Sequence, residues 1–98
     1  MSTILLTKVK NDLHIRSDSK DEQIEEAIET AKRRMRMIGV GAIDEIDPAT
    51  SQCIKLYCRF YFNFQGEAER YFSAFESMAN GMALSGDYRA DAGLEALS

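Results

Sequence analysis

Apolar residues recur along most of this chain at intervals of three and four positions, the spacing of one face of an α-helix. The first such segment predicts a short amphipathic helix over Thr3 to Leu13, and the second predicts a helix from about Lys20 to Ile38. No segment alternates apolar and polar residues convincingly, as a half-buried strand would. The pattern therefore favours an all-α fold.

Boundary residues and charges support the second helix. Ser19 and Glu22 have the spacing of a capping box at its start, and Gly39 is a natural residue to follow its end. The first half of the helix is acidic (Asp21, Glu22, Glu25, Glu26, Glu29) and its end is basic (Lys32, Arg33, Arg34, Arg36). This order complements the helix dipole.

The third predicted helix is apolar on almost every side. Asp47 suits the N-cap and Pro48 the first helical position, and the helix is predicted to run to about Gln65. A helix of this kind is buried on several sides, and in a chain this short we expect one side to be covered by a neighbouring subunit. The candidate subunit-interface residues are Tyr57, Phe60, Tyr61 and Phe64.

A fourth helix is predicted after Gly66, with an apolar stripe from Ala68 to Met82. The dipeptide Asn80-Gly81 weakens its end, because an interior glycine costs about 1 kcal/mol relative to alanine. We expect residues 1–85 to form one compact bundle of four or five helices, and residues 86–98 to form a polar, flexible tail.

Composition and net charge limit the classes of function that the chain is expected to have. The chain has 98 residues and a formal net charge of −4, whereas nucleic-acid-binding domains are generally basic. The basic cluster at the end of the second helix nevertheless permits a contact with phosphate or an acidic surface. The alternative explanation is that the cluster complements the helix dipole and forms pairs such as Glu29–Arg33.

The side chains that could carry chemistry form no recognisable catalytic or metal-binding set. His14 is the only histidine and has no partners at ligand spacing, so a surface or capping role is expected. Cys53 and Cys58 are about 500° apart around a helix, which favours two buried free thiols. We expect no enzyme activity and no cofactor. The chain also lacks an apolar leader and the roughly 18 apolar residues of a membrane span, which favours a cytoplasmic protein.

The order of features resembles the small head–tail connector proteins of tailed bacteriophages, also described as DNA-packaging or head-completion proteins. The resemblance covers residues 3–89. It rests on the Leu13-His14-Ile15 segment after a short helix, the capped helix that begins at Asp21, and the aromatic helix opened by Asp47-Pro48. Its most distinctive part is the closing segment, Leu-Ser-Gly-Asp-Tyr-Arg at 84–89.

The resemblance implies a helical subunit of a homo-oligomeric ring in the virion neck, assembled in the bacterial host cytoplasm. Such a ring binds the portal after DNA packaging, offers a platform to a neck or tail-completion protein, and lets DNA pass through its lumen. By resemblance, the portal-contact candidates are Leu84, Asp87, Tyr88 and Arg89. The lumen or junction candidates are Lys32, Arg33 and Arg36. The competing hypothesis is a small helical regulator that binds DNA or a partner helix through the basic end of the second helix.

Overall fold

The computed structural model describes residues 3–88, and every element in that range is helical. The helices are α1 (Thr3–Leu13), α2 (Asp21–Ile38), α3 (Pro48–Tyr61) and α4 (Ala68–Leu84), with a single 3₁₀ turn (Phe64–Gly66) between α3 and α4. The predicted all-α bundle of four main helices is therefore confirmed. The start of α1, its end and the start of α3 fall where the sequence pattern placed them.

The helices run alternately up and down. Lys10 near the end of α1 pairs with Asp21 at the start of α2, with 2.7 Å between Nζ and Oδ1. A Cβ added to Gly39, just after α2, would lie 3.3 Å from the Cβ of Ala83 near the end of α4. The Tyr88 hydroxyl, after α4, binds Asp47, just before α3. The ends of α2 and α4 and the start of α3 therefore share one end of the bundle, which we name the Leu84 end. The opposite end, where α3 ends and α4 begins, is the Tyr61 end.

Helix α3 occupies the centre of the bundle and packs against each of the other three α-helices. Its residues Cys53, Ile54, Tyr57 and Cys58 are buried by the chain itself. The expectation that a neighbouring subunit must cover one side of α3 is not needed to explain these residues, because α1, α2 and α4 already enclose them.

Two helices end in the same hydrogen-bonded motif. After α1, His14 has a φ of 60°, and Ile15 N donates to Lys10 O at 2.9 Å. After α2, Gly39 has a φ of 122°, and Val40 N donates to Met35 O at 2.9 Å. These are the long bonds of Schellman motifs, which satisfy carbonyls that the helix leaves free. The predicted capping role of His14 and stop role of Gly39 are confirmed.

The predicted capping box at the start of α2 is wrong. The residue before the helix is Lys20, which makes no side-chain cap, and the hydroxyl of Ser19 instead lies 2.8 Å from the hydroxyl of Ser17. Lys10 also binds Asp18, at 2.9 Å. The helix begins at Asp21, one residue later than predicted, which puts Ser19 outside the capping position.

The predicted end of α3 at Gln65 is also wrong, because the helix ends four residues earlier. Asn63 and Gln65 both adopt left-handed backbone conformations, with φ values of 48° and 55°. Asparagine tolerates this region better than most residues. The Asn63 side chain then accepts a hydrogen bond from Ala68 N, 3.2 Å away, at the first turn of α4. Asn63 thus helps to end one helix and to begin the next.

Candidate interaction surfaces

The four aromatic interface candidates lie in different environments. Tyr57 is only 5% exposed, with its ring centroid 5.4 Å from that of Phe60 and 5.1 Å from that of Phe75. Phe60 is half-buried and packs on Phe72 at 4.7 Å between centroids. Edge-to-face contacts of this kind stabilise a core. The structure therefore places Tyr57 in the core of its own subunit, where it offers almost no surface to another chain.

The other two aromatic candidates lie toward the Tyr61 end. Tyr61 is 43% exposed, and its ring centroid is 5.1 Å from that of Phe62. Phe64 is half-buried, with the rings of His14 and Tyr71 both 6.2 Å away between centroids. Of the four candidates, only Tyr61 presents a large exposed aromatic surface.

An ion pair that the sequence pattern did not predict links α1 to α3. Arg59 donates from Nε and Nη2 to the two carboxylate oxygens of Asp12, at 2.8 and 2.6 Å. Its guanidinium carbon also lies 5.2 Å from the centroid of the Tyr71 ring, on α4. The hydrogen bonds to Asp12 are the main cause that raises the pKa of Arg59. No local spacing signals this pair, because 47 residues separate its members.

The basic cluster divides into engaged and exposed members. Lys32 is buried, and its ammonium lies 3.2 Å from the carboxylate of Glu29 and 3.5 Å from that of Glu45. Arg34 lies over the Phe72 ring, with its guanidinium carbon 5.5 Å from the centroid. Both cations thus serve contacts within the subunit. Of the lumen candidates, Arg33 and Arg36 are exposed, whereas Lys32 is committed to its own chain.

Two of the portal-contact candidates are on the surface, and a third is held by the bundle. Leu84 is 85% exposed and Asp87 is exposed. The Tyr88 hydroxyl donates to the carboxylate of Asp47, with oxygen distances of 3.0 and 3.1 Å. The carbonyl of Tyr88 accepts from Gly41 N and Ala42 N, at 2.7 and 3.1 Å. The predicted tail therefore begins as a turn bound to the bundle through residue 88, and Arg89 lies outside the described residues.

Asp47 combines two roles. Its carboxylate accepts from Thr50 N at 2.9 Å, which confirms the predicted N-cap of α3, and it also accepts from Tyr88. The hydrogen bond from Thr50 N is the largest cause that lowers the pKa of Asp47. The hydrogen bond from the Tyr88 hydroxyl to Asp47 is the largest cause that raises the pKa of the Tyr88 phenol, because the carboxylate stabilises the protonated form of the phenol.

Exposed apolar side chains concentrate at the Leu84 end. Met37 is 80% exposed in the last turn of α2, Leu84 ends α4, and Ile46 is exposed just before α3. Of the five large exposed apolar residues of the described chain, Tyr61 lies at the opposite end, and Ile4 lies at the start of α1, on the side of the Leu84 end. The up-and-down topology brings together three residues that are far apart in sequence.

The two cysteines lie in the core of the bundle. Cys53 and Cys58 are free and buried as predicted, and burial raises the pKa of both thiols to about 12. Within residues 3–88, no three or more His, Cys, Asp or Glu side chains are grouped so as to hold a metal ion. None of the helices in this range has both the length and the apolar character that crossing a membrane requires.

Comparisons with protein-family models, curated proteins and solved structures find no match to this chain. The surfaces of the chain itself are therefore the basis on which a function can be proposed. The most distinctive of these surfaces is the Leu84 end, which combines exposed apolar side chains with the anchored turn at Tyr88.

Proposed function

We propose that this chain is a structural subunit of the neck of a tailed bacteriophage or prophage. Copies assemble into a ring that joins the portal and head to tail components after DNA packaging. The observation that carries this proposal is the exposure of Met37, Ile46 and Leu84 at one end of an otherwise well-packed bundle.

Burial of exposed apolar side chains in a contact with another subunit is favourable in free energy. Burying one large aliphatic side chain contributes roughly 1.5–3 kcal/mol relative to leaving it in water. A ring requires two different surfaces on each subunit, because its contacts run head to tail. The Leu84 end supplies one apolar surface, and Tyr61 supplies an exposed aromatic side chain at the opposite end.

The anchored turn supports a role in contacting the portal. Hydrogen bonds from Gly41 and Tyr88 fix the point at which the chain leaves the bundle. Leu84 immediately precedes this turn, Asp87 lies within it, and both side chains are exposed.

Light scattering on a size-exclusion column, over micromolar to millimolar protein, tests the assembly. We expect the mass of the native protein to rise above 11.1 kDa with concentration. The variants Met37→Glu and Leu84→Glu should shift this rise to higher concentration, because a charge in an apolar contact is costly. Ser77→Glu, at an exposed position near the middle of α4, is the control and should behave like the native protein.

A specific contact between two subunits typically buries about 800 Å² on each of them, and a contact of that size should be detectable as self-association in this concentration range. A native protein that stays monomeric at millimolar concentration and does not bind a purified portal contradicts the proposed function.

The alternative is a small helical regulator that binds DNA or a partner helix, and the exposure of Arg33 and Arg36 favours it. Lys32 and Arg34 are held by their own chain, which leaves few cations for phosphate contacts. This alternative predicts salt-dependent DNA binding whose slope falls by about one for each arginine replaced by alanine. Absence of binding at low salt removes it.

A further inference from the structure

The exposed face of α2 carries opposite charges in its two halves. Glu22 and Glu26 are exposed in the first half, and Arg33 and Arg36 in the second. At about 100° per residue, these four positions fall within roughly 80° of one another around the helix. They therefore form one continuous stripe, which we name the α2 stripe.

Other residues of the chain leave the basic half of this stripe available. Among residues 3–88, no carboxylate lies within ion-pair distance of Arg33 or Arg36. Glu29, at the middle of the stripe, is instead paired with Lys32 at 3.2 Å. In the described part of the chain, the stripe therefore has two unpaired carboxylates at one end and two unpaired guanidinium groups at the other. Between them lies Glu29, whose charge is compensated by Lys32.

The two halves have the same phase on the helix. Arg33 follows Glu22 by eleven residues and Arg36 follows Glu26 by ten, so the two arginines return to the face of the two glutamates within about 80°. Eleven residues are close to three turns, or about 16 Å along the axis. A second copy of α2, turned so that its stripe faces the stripe of the first, can therefore present its basic half to the acidic half of the first.

A second copy suits this stripe better than a nucleic acid does. Arg33 lines the same shallow depression as Glu22, Glu25, Glu26 and Glu29. These carboxylates would repel a phosphate backbone that approached Arg33 along the helix. Another copy of the chain carries both signs in the matching order, and the 80% exposed Met37 beside Arg36 adds an apolar contact.

We propose that the α2 stripe is a contact between copies of this chain, in which Arg33 and Arg36 of one copy lie against Glu22 and Glu26 of the next. This inference rests on the proposed function, which requires self-association. The inference specifies which surface mediates self-association and which charged groups recognise one another there. Exposed ion pairs are individually weak and are screened by salt, so the contact should weaken as ionic strength rises.

Charge reversal with mixing tests the contact. One variant carries Arg33→Glu with Arg36→Glu, and the other carries Glu22→Arg with Glu26→Arg. Each alone places like charges in the contact and should associate at least about tenfold more weakly than the native protein at low salt. An equimolar mixture restores opposite charges and should associate at least as tightly as the native protein.

Matched controls separate this contact from the effect of net charge. Arg16→Glu with Arg70→Glu changes the net charge by the same amount as the arginine reversal, at exposed positions outside α2, and should weaken association much less than that reversal does. Arginines in the first turns of α2 oppose the helix dipole. Glu22→Gln with Glu26→Gln is therefore a milder second variant, and it should also associate more weakly than the native protein.

Failure of this inference is distinguishable from failure of the proposed function. A native protein that forms rings while the charge reversals assemble equally well overturns the inference and leaves the proposed function standing. A mixture that fails to restore association also overturns the inference. A mixed assembly that stops at two chains supports the stripe as a contact and contradicts the ring. A native chain that never self-associates overturns both.

Discussion

At the scale of single residues, two aspartates join parts of the chain that are far apart in sequence. Asp12 on α1 binds Arg59 on α3, and Asp47 before α3 binds Tyr88 after α4. Each carboxylate accepts more than one hydrogen bond, and hydrogen bonds to an ionised group are stronger than neutral ones. These two side chains therefore fix the relative positions of three helices and the start of the tail.

The Arg59–Asp12 pair gives a prediction about stability. We expect Arg59→Lys to lower the free energy of unfolding by about 1–2 kcal/mol, because lysine loses both the two-pronged hydrogen bond and the stacking on Tyr71. Urea unfolding followed by circular dichroism measures the change. Arg70→Lys is the control: its pair with Glu67 is exposed and should contribute less than about 0.5 kcal/mol. Equal losses in the two variants would contradict the role assigned to Arg59.

Asp47 gives a prediction about pH. Its pKa is lower in the folded protein than in the unfolded chain, so the stability it contributes is present above its ordinary value of 3.8. That contribution is lost as pH falls below 3.8 and through the lower folded value. Asp47→Asn keeps a hydrogen-bond acceptor but removes the titration. We expect the urea midpoints of native protein and variant to converge as pH falls from 5 toward 2. Midpoints that stay equally far apart would contradict this assignment.

At the scale of the helices, a glycine at a helix end and a glycine in a helix interior have opposite effects on stability. Gly39 ends α2 with a φ of 122°, and an added Cβ there would lie 3.3 Å from Ala83. Gly81 lies inside α4, with nothing within 4 Å of an added Cβ. The sequence suggested that Gly81 weakens the end of α4, and the helix nevertheless continues to Leu84.

The two glycines should respond oppositely to the same substitution. Gly39→Ala should destabilise by about 1–2 kcal/mol, because a side chain is strained at positive φ and also meets Ala83. Gly81→Ala should stabilise by about 0.5–1 kcal/mol, because alanine favours the helix and restricts the unfolded chain. Thermal unfolding of the two variants measures both signs. A shared sign would contradict the contrast between a helix end and a helix interior.

At the scale of the whole molecule, the core closes around α3, and both cysteines lie in it. Burial raises the pKa of Cys53 and Cys58 to about 12, so their thiolates become reactive when the bundle opens. We expect a thiol reagent to modify the folded protein at least about a thousandfold more slowly than the protein in urea. The rate should increase with urea along with the unfolded fraction. Rapid modification of either cysteine in the native protein would contradict the closed core.

Most helices could be placed from the sequence, because helical periodicity and end signals are local. The stripe from Ala68 to Met82, the Asp47-Pro48 start and the Gly39 stop each depend on neighbours within a few positions. The sequence also indicated the opposite charges along α2, since a helix displays residues three and four apart on one face.

Which of those residues are available to a partner depends on how the helices pack, and it became visible only in the three-dimensional structure. Tyr57 and Lys32 looked like surface candidates, yet the first packs on Phe75 and the second pairs with Glu45. Tyr88 looked like part of a free tail, yet it binds Asp47. These outcomes depend on contacts between distant segments, and such contacts are set by how the helix faces pack together. Local spacing fixes the face on which a residue lies but not what covers that face.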